Sequence, residues 1–226
     1  MSARPDGPVP LLLIALDGPG GVGKSTTARR VAQVLGWDYL DTGAMYRAAT
    51  LALARAGVDL SDRPQVERTL AGLALRLEGP RVFLGAEDVS EAIRSPEITR
   101  GVSRVSADIR VREVMVDRQR ALGRRGRWVV DGRDIGTVVF PEACCKVFLT
   151  ASPEARARRR YLELEAKGKA SALEEVLADL QRRDAADSSR AVAPLRQADD
   201  AMVLDSSHLD LEAVVDRIVT HHRAHG

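Results

Sequence analysis

The sequence predicts an α/β three-layer sandwich with a five-stranded parallel sheet, and three observations predict it. First, the apolar run Leu11-Leu12-Leu13-Ile14-Ala15-Leu16 passes through Asp17 straight into Gly18-Pro19-Gly20-Gly21-Val22-Gly23-Lys24-Ser25, and Thr26 to Leu35 then keeps apolar residues at helical spacing. Second, four more short apolar runs follow at Trp37–Leu40, Trp128–Asp131, Lys146–Leu149 and Ala201–Asp205, with helical periodicity between them. Uninterrupted apolar runs alternating with helices are the signature of parallel strands buried on both faces. Third, no internal repeat, low-complexity segment or domain linker divides the chain, and 226 residues with 45% hydrophobic content suffice for one full core.

The glycine-rich turn reads as a phosphate cradle. Backbone N–H groups must converge there on an anionic oxygen in dihedrals that a Cβ would obstruct, and the following helix adds its positive N-terminal end. In this pattern Lys24 reaches the β- and γ-phosphates of a nucleotide and Ser25 offers its hydroxyl to a magnesium ion. Residues 1–10, with three prolines and no periodicity, read as a flexible lead-in.

The second strand ends at Asp41-Thr42-Gly43-Ala44-Met45-Tyr46-Arg47, on the ligand-binding rim of an open sheet. Thr42 is placed to cap the helix that runs to about Ala56, and Arg47 sits one turn inside it, either as a solvated arginine or as an anion ligand. From Ser61 to about Arg104 the pattern changes. Leu73–Leu77 and Arg81–Leu84 alternate around Glu78-Gly79-Pro80, which predicts a hairpin in a small inserted lobe. Helical periodicity resumes over Ala107–Leu122 and closes at Gly123.

The strand Trp128–Asp131 ends in a carboxylate, like the second nucleotide-binding motif of phosphate-loop proteins that supports the magnesium water shell. Two helices joined near Gly168 follow the fourth strand, and the first carries Arg156, Arg158, Arg159 and Arg160. Four arginines in five positions cannot share one helix face, yet a mobile arginine-rich hairpin is what a phosphate-covering lid requires. The final helix, about 209–223, packs an apolar face on the sheet.

Composition narrows the function classes. A net charge of +2 gives no general attraction to nucleic acid or anionic membrane, and aromatics at 4% offer no stacking platform for bases. The apolar run at 11–16 is too short to span a bilayer and lacks a cleavage site. Cys144 and Cys145 are adjacent, which suits neither a disulfide framework nor a metal-ligand spacing and implies a reducing cytoplasm. Only four of the 34 basic residues are lysine, Lys24, Lys146, Lys167 and Lys169; arginine, whatever codon bias contributes, grips phosphate with two parallel hydrogen bonds. The four histidines all lie beyond the last strand, and no Ser-His or Cys-His arrangement is evident. No Asn-Lys-x-Asp sequence for guanine recognition occurs, which disfavours a GTP-dependent switch.

Four segments together, Gly18–Thr26, Asp41–Arg47, Asp131–Pro141 and Arg183–Leu195, resemble the bacterial cytidylate kinases from about residue 11 to the end. The phosphate loop marks only a superfamily. Asp131-Gly132-Arg133-Asp134-Ile135-Gly136-Thr137 and the Arg183-Asp184-x-x-Asp187-x-x-Arg190-x-x-x-Pro194-Leu195 stretch are specific to this family. Gly20 stands where the family commonly has serine.

The resemblance implies a P-loop kinase fold, with the core at about 11–60 and 105–226, a substrate-binding insertion at about 61–104 and an arginine lid at about 153–170. It implies ATP-dependent phosphorylation of CMP and dCMP with Mg2+, by a cytoplasmic, monomeric enzyme whose partners are small molecules; the alternatives are a related kinase acting on UMP, AMP or a small hydroxyl acceptor. ATP then lies on Gly18, Pro19, Gly20, Gly21, Val22, Gly23, Lys24, Ser25 and Thr26, with Ser25 at the metal. The acceptor nucleotide is held by Thr42, Arg47, Ser103, Arg112, Arg133, Asp134, Arg183, Asp187 and Arg190. Catalysis falls to Lys24, Arg133, Arg190 and Arg159. Asp134 is the expected reader of the cytosine amine, with Arg112 and Ser103 donating to the rest of the base edge.

Overall fold

The computed structural model describes residues 11–166, 168–169 and 172–225. The lead-in at 1–10, Lys167 and residues 170–171 of the expected lid lie outside them. Five strands, β1 (Leu11–Asp17), β2 (Asp38–Asp41), β6 (Trp128–Asp131), β7 (Ala143–Thr150) and β8 (Met202–Asp205), form one sheet in the order β2-β6-β1-β7-β8. Every pairing in it is parallel.

Alternation along β1 sorts the core. Leu13 and Ala15 face one side, with Met45 of α2 (Thr42–Arg55), Met115 of α5 (Ile109–Gly123) and Phe140. Ile14 and Leu16 face the other, with Ala28 and Val31 of α1 (Lys24–Leu35) and Val215 and Ile218 of α8 (Leu211–His225). Each fully buried leucine or isoleucine here contributes about 1.5–3 kcal/mol. Parallel register brings the carboxyl ends of β1, β2 and β6 to one rim, so that Asp17, Asp41 and Asp131 cluster there.

The inserted stretch holds α3 (Arg63–Ala71), an antiparallel sheet of β3 (Leu75–Glu78), β4 (Arg81–Leu84) and β5 (Glu87–Asp88), a short 3-10 turn at Ala92–Arg94 and α4 (Pro96–Ala107). It shares α2 with the main sheet. Val66 and Leu70 pack into the sheet-side core, while Val82, Val89, Ile93 and Ile98 pack on Ala44, Ala48 and Leu51. A segment this short cannot bury a core of its own. The remaining hairpin, α6 (Pro153–Ala166) and α7 (Leu173–Ser188), has a small satellite core of Ala157, Val176 and Leu180.

Local boundaries differ from the sequence reading for physical reasons. The expected hairpin gains the third strand β5. The helix expected from Ala107 begins at Ile109, because Asp108 caps it by accepting from the N–H groups of Arg110 (3.0 Å) and Val111 (3.3 Å). The strand at Lys146–Leu149 extends to Ala143–Thr150, taking in both cysteines as free thiols. Thr42 does not cap α2: Asp41 does, its Oδ1 accepting from Ala44 N at 2.8 Å. No helix among the described residues is long and apolar enough to cross a membrane.

Candidate active site

The phosphate loop leaves β1 at Gly18, whose φ of +148° and approach to the Leu149 carbonyl leave no room for a Cβ. It enters α1 through Gly23, at φ +92°, and no side chain caps that helix end. The N–H groups of the first turn thus face the loop's hollow as an uncapped positive terminus. Lys24 is only 6% exposed and donates to Pro19 O at 2.6 Å. Burial, with Arg133 beside it, lowers its pKa to about 7. Gly20 is a different case, since a Cβ there would meet Leu180 Cδ2 at an ordinary 3.5 Å; serine fits, and glycine is not enforced.

Arginines of α6 brace the loop from behind. Arg156 donates to Gly20 O (3.1 Å) and to Asp184 Oδ2 (2.5 Å), and Asp184 Oδ1 accepts from Gly20 N at 3.4 Å. Arg159 donates to Val22 O (3.4 Å), Ser206 Oγ (3.1 Å) and the Ser206 carbonyl. Arg159 is thus engaged with backbone and hydroxyl oxygens of the loop and the β8 end, and Arg156 with backbone and the Asp184 carboxylate.

Two buried carboxylates line the rim. Asp131 accepts from Ser25 Oγ (2.8 Å) and Tyr39 Oη (2.9 Å), and burial together with Asp41 raises its pKa to about 6. Asp17 accepts from Ile135 N (2.8 Å) and Gly136 N (2.7 Å), holding the turn that presents Arg133 and Asp134; burial raises its pKa to about 6 as well.

Beside the loop lies a connected network of arginines and carboxylates. Arg112 (3% exposed) and Asp134 (4%) form a buried ion pair, and Arg112 also donates to Ser106 O at 3.4 Å. Burial raises the Asp134 pKa. Arg190 donates to Ser106 Oγ (3.1 Å) and to Asp187, whose other oxygen accepts from Arg133 Nε at 2.8 Å. Burial lowers the Arg190 pKa, and Arg112 and Arg133 repel its charge. Arg112, Arg133, Asp134, Asp187 and Arg190, drawn from three stretches of sequence, therefore meet.

Other predicted residues are placed differently. Thr42 gives its hydroxyl to Asp131 O at 2.6 Å, tying α2 to β6. Arg47 is half-buried and donates to Ile93 O (3.2 Å) and Thr99 Oγ1 (2.9 Å) in the inserted lobe; burial, Arg183 and Arg94 lower its pKa to about 10. Arg183 pairs with Asp179 at 2.7 Å. Ser103 lies one turn before Ser106 and accepts the Ser106 hydroxyl on its carbonyl at 3.2 Å. Asp17, Tyr39, Ser106, Arg156 and Asp184 are additions that the sequence reading did not assign to the site. Of these, Arg156 and Asp184 stood inside segments already singled out, whereas Asp17, Tyr39 and Ser106 depend on tertiary contacts.

A cleft of about 650 Å³ opens elsewhere, outside β2, lined by Leu40, Leu75, Leu77, Leu122 and Trp128 among others. Its lining includes Arg29, Arg76 and Arg118 but neither the loop backbone nor Arg112, Arg133 or Arg190, so it is separate from the loop and the arginine network.

Three comparisons bear on this site. A family described as "Cytidylate kinase" matches residues 14–224. The chain is 50% identical over 213 residues to the cytidylate kinase of Rhodococcus opacus (strain B4), covering 92% of this chain and 93% of that protein. It is 49% identical over 212 residues to the cytidylate kinase of Syntrophotalea carbinolica, covering 92% and 90%. Among solved structures, an uncharacterized protein from Eubacterium ventriosum shares the fold at 12% identity and a TM-score of 0.50, covering 95% of this chain and 99% of that one.

Proposed function

The chain belongs to the cytidylate kinase family, and on that premise we propose that it transfers the γ-phosphoryl group of ATP directly to the phosphate of CMP or dCMP, giving CDP or dCDP and ADP. The observation that carries the site assignment is the junction of two anion-binding surfaces. The uncapped start of α1 with Lys24 adjoins the network of Arg133, Asp187 and Arg190: Arg133 Nη2 comes within 3.8 Å of where a Cβ on Gly20 would sit.

The roles follow from the chemistry. The nucleophile is an acceptor phosphate oxygen, ionised at neutral pH, so no general base is required. Gly18–Thr26 hold ATP through backbone donors. Arg133 and Arg190 take the acceptor phosphate, with Arg47 and Arg183 as further contributors, and Asp187 bridges the first two and orients them. Asp134 accepts from the cytosine amine, sharing its carboxylate with Arg112, and Ser103 and Thr42 complete that pocket. Lys24, Arg133 and Arg190 neutralise the charge that spreads over the phosphoryl group in flight. Arg159 joins them only when the α6–α7 hairpin closes and draws it from Val22 and Ser206.

A magnesium ion fits the donors present. Ser25 and Asp131 are oxygen-only ligands suited to a hard cation that keeps most of its waters and travels with the nucleotide phosphates. Among the described residues, no cluster of three or more histidine, cysteine or acidic side chains could hold a metal by itself. When bound, magnesium supplies charge neutralisation at the β- and γ-phosphates. The free thiols of Cys144 and Cys145 support a reducing, cytoplasmic setting, and we propose a monomer that acts on small molecules alone.

The test is an ADP-release assay with ATP across CMP, dCMP, UMP and AMP. The proposal expects kcat/KM for CMP or dCMP to exceed that for UMP and AMP by about tenfold or more. A preference for AMP or UMP contradicts it.

A further inference from the structure

The sheet register places Tyr39 and Asp131 on one face. Tyr39 pairs with Val129 across the parallel ladder, so Asp131, two residues further along β6, stands diagonally ahead on the same side. A diagonal of about 7–8 Å is within reach of a tyrosine side chain but beyond a short polar one. The phenol closes it, donating to Asp131 Oδ1 at 2.9 Å, while Ser25 donates to Oδ2 at 2.8 Å from the first turn of α1. Both oxygens of a carboxylate that is 5% exposed are therefore fixed, one from the sheet edge and one from the phosphate loop. The ring is itself held: Arg29, four residues beyond Ser25 on α1, sets its guanidinium 5.3 Å from the ring centroid.

Consider the Ser25 hydroxyl. It has one proton and two lone pairs, and giving the proton to Asp131 leaves the lone pairs as its acceptor face. The direction of that face is set by where Asp131 Oδ2 sits. That position in turn depends on Oδ1, because a carboxylate tethered at both oxygens cannot rotate without giving up a buried hydrogen bond.

We propose that Tyr39 is a positioning residue for phosphoryl transfer, acting through Asp131 to orient the Ser25 hydroxyl toward the nucleotide-borne cation. The inference rests on the reading of Ser25 and Asp131 as the magnesium-side pair. Tyr39→Phe removes the hydroxyl and keeps the ring under Arg29 and in its apolar packing.

The experiment measures ADP affinity by calorimetry with and without Mg2+, CMP affinity, and thermal stability, in the parent, Tyr39→Phe, Asp131→Asn and the double variant. Loss of a partner one step behind a metal ligand costs about 10–100-fold in metal-dependent function, so the strengthening of ADP binding by Mg2+ should fall about tenfold in Tyr39→Phe. Metal-free ADP and CMP affinity should change by less than about twofold, and Tyr39→Phe should add nothing in the Asp131→Asn background. If Asp131→Asn weakens the Mg2+ effect and Tyr39→Phe does not, the role of Tyr39 is overturned and the magnesium reading stands. If Asp131→Asn leaves the Mg2+ effect intact, the reading beneath the inference fails and the inference falls with it. Equal losses with and without metal, accompanied by a lowered Tm, would make Tyr39 a purely structural residue and overturn the proposal.

Discussion

The two halves of the proposed site are built from the same materials and differ in what chiefly holds them. On the donor side, the loop's shape is written into the backbone: glycines at Gly18 and Gly23 set its turns, Lys24, Arg156 and Arg159 donate to the carbonyls of Pro19, Gly20 and Val22, and one carboxylate, Asp184, backs Arg156. On the acceptor side, Arg112 is held by Asp134 and both Arg133 and Arg190 by Asp187, while Arg47 donates to Ile93 O and Thr99 Oγ1. On the proposed reading the Arg156 brace on the Gly20 carbonyl stays when phosphate arrives, because the anion binds the loop's N–H groups and leaves that oxygen alone, whereas Arg159 leaves Val22 O when the hairpin closes. A carboxylate brace occupies the same guanidinium face that a phosphate needs. On the proposed reading the donor cradle keeps its Arg156 brace, while Arg133 and Arg190 share the Asp187 carboxylate with the acceptor phosphate they bind.

The largest effect that would sharpen this contrast is Lys24→Met. Backbone donors continue to hold ATP, so its affinity should change by less than about tenfold, while turnover falls by about 10²–10³, the usual cost of one electrostatic contact made chiefly in the transition state. Single-turnover rates and ATP titrations separate the two. Turnover within about threefold of the parent removes Lys24 from catalysis.

Asp134→Asn should have an intermediate effect, and it acts in two ways. Removing one partner of the buried Arg112–Asp134 pair strands a charge and costs about 3–5 kcal/mol of stability, read as a lowered denaturation midpoint. The amide can also rotate to donate to uracil's carbonyl, so the CMP-to-UMP ratio of kcat/KM should shrink about tenfold. An equal fall for both substrates would assign Asp134 to the fold and phosphates and not to the base.

The smallest effect concerns the α6–α7 hairpin. Among the described residues its satellite core is three buried hydrophobic residues with Leu164 and Leu177 against them, so it opens locally at low cost. Amide exchange over 153–166 and 172–180 should slow when ATP analogue and CMP are both bound, and less with either alone. Unchanged exchange under both ligands would argue against closure and against Arg159 as a lid residue.

How much of this was legible in the sequence follows the same divide. The donor cradle is local, with Gly18 to Ser25 contiguous and flanked by a strand and a helix, and its pattern carries its chemistry. The parallel sheet was equally legible, because runs such as Leu11–Leu16 bury both faces. The acceptor network is not local. Arg112, Arg133 and Arg190 come from α5, the turn after β6 and the turn just past α7, and only motif resemblance linked them before the fold did. Asp17 looked like a strand end, yet it anchors N–H groups 118 and 119 positions away. Tyr39 looked like an apolar strand residue, and only the register of β2 on β6 reveals where its hydroxyl goes. Thr42 resembled a cap because threonine at that offset commonly is one, but Asp41 reached the Ala44 N–H instead and left the threonine hydroxyl for β6.

The most direct test of the two-halves account pairs Arg156→Ala with Arg190→Ala and measures two quantities in each: ATP affinity without acceptor, and the KM for CMP at saturating ATP. Arg156→Ala removes a brace of the preformed cradle and should weaken ATP by about tenfold, leaving the CMP KM within about twofold. Arg190→Ala should do the reverse, raising the CMP KM by about tenfold or more with ATP affinity unchanged, as loss of a charge-assisted contact predicts. A crossed result, in which Arg190→Ala weakens ATP binding in the absence of CMP while Arg156→Ala spares it, would contradict the account.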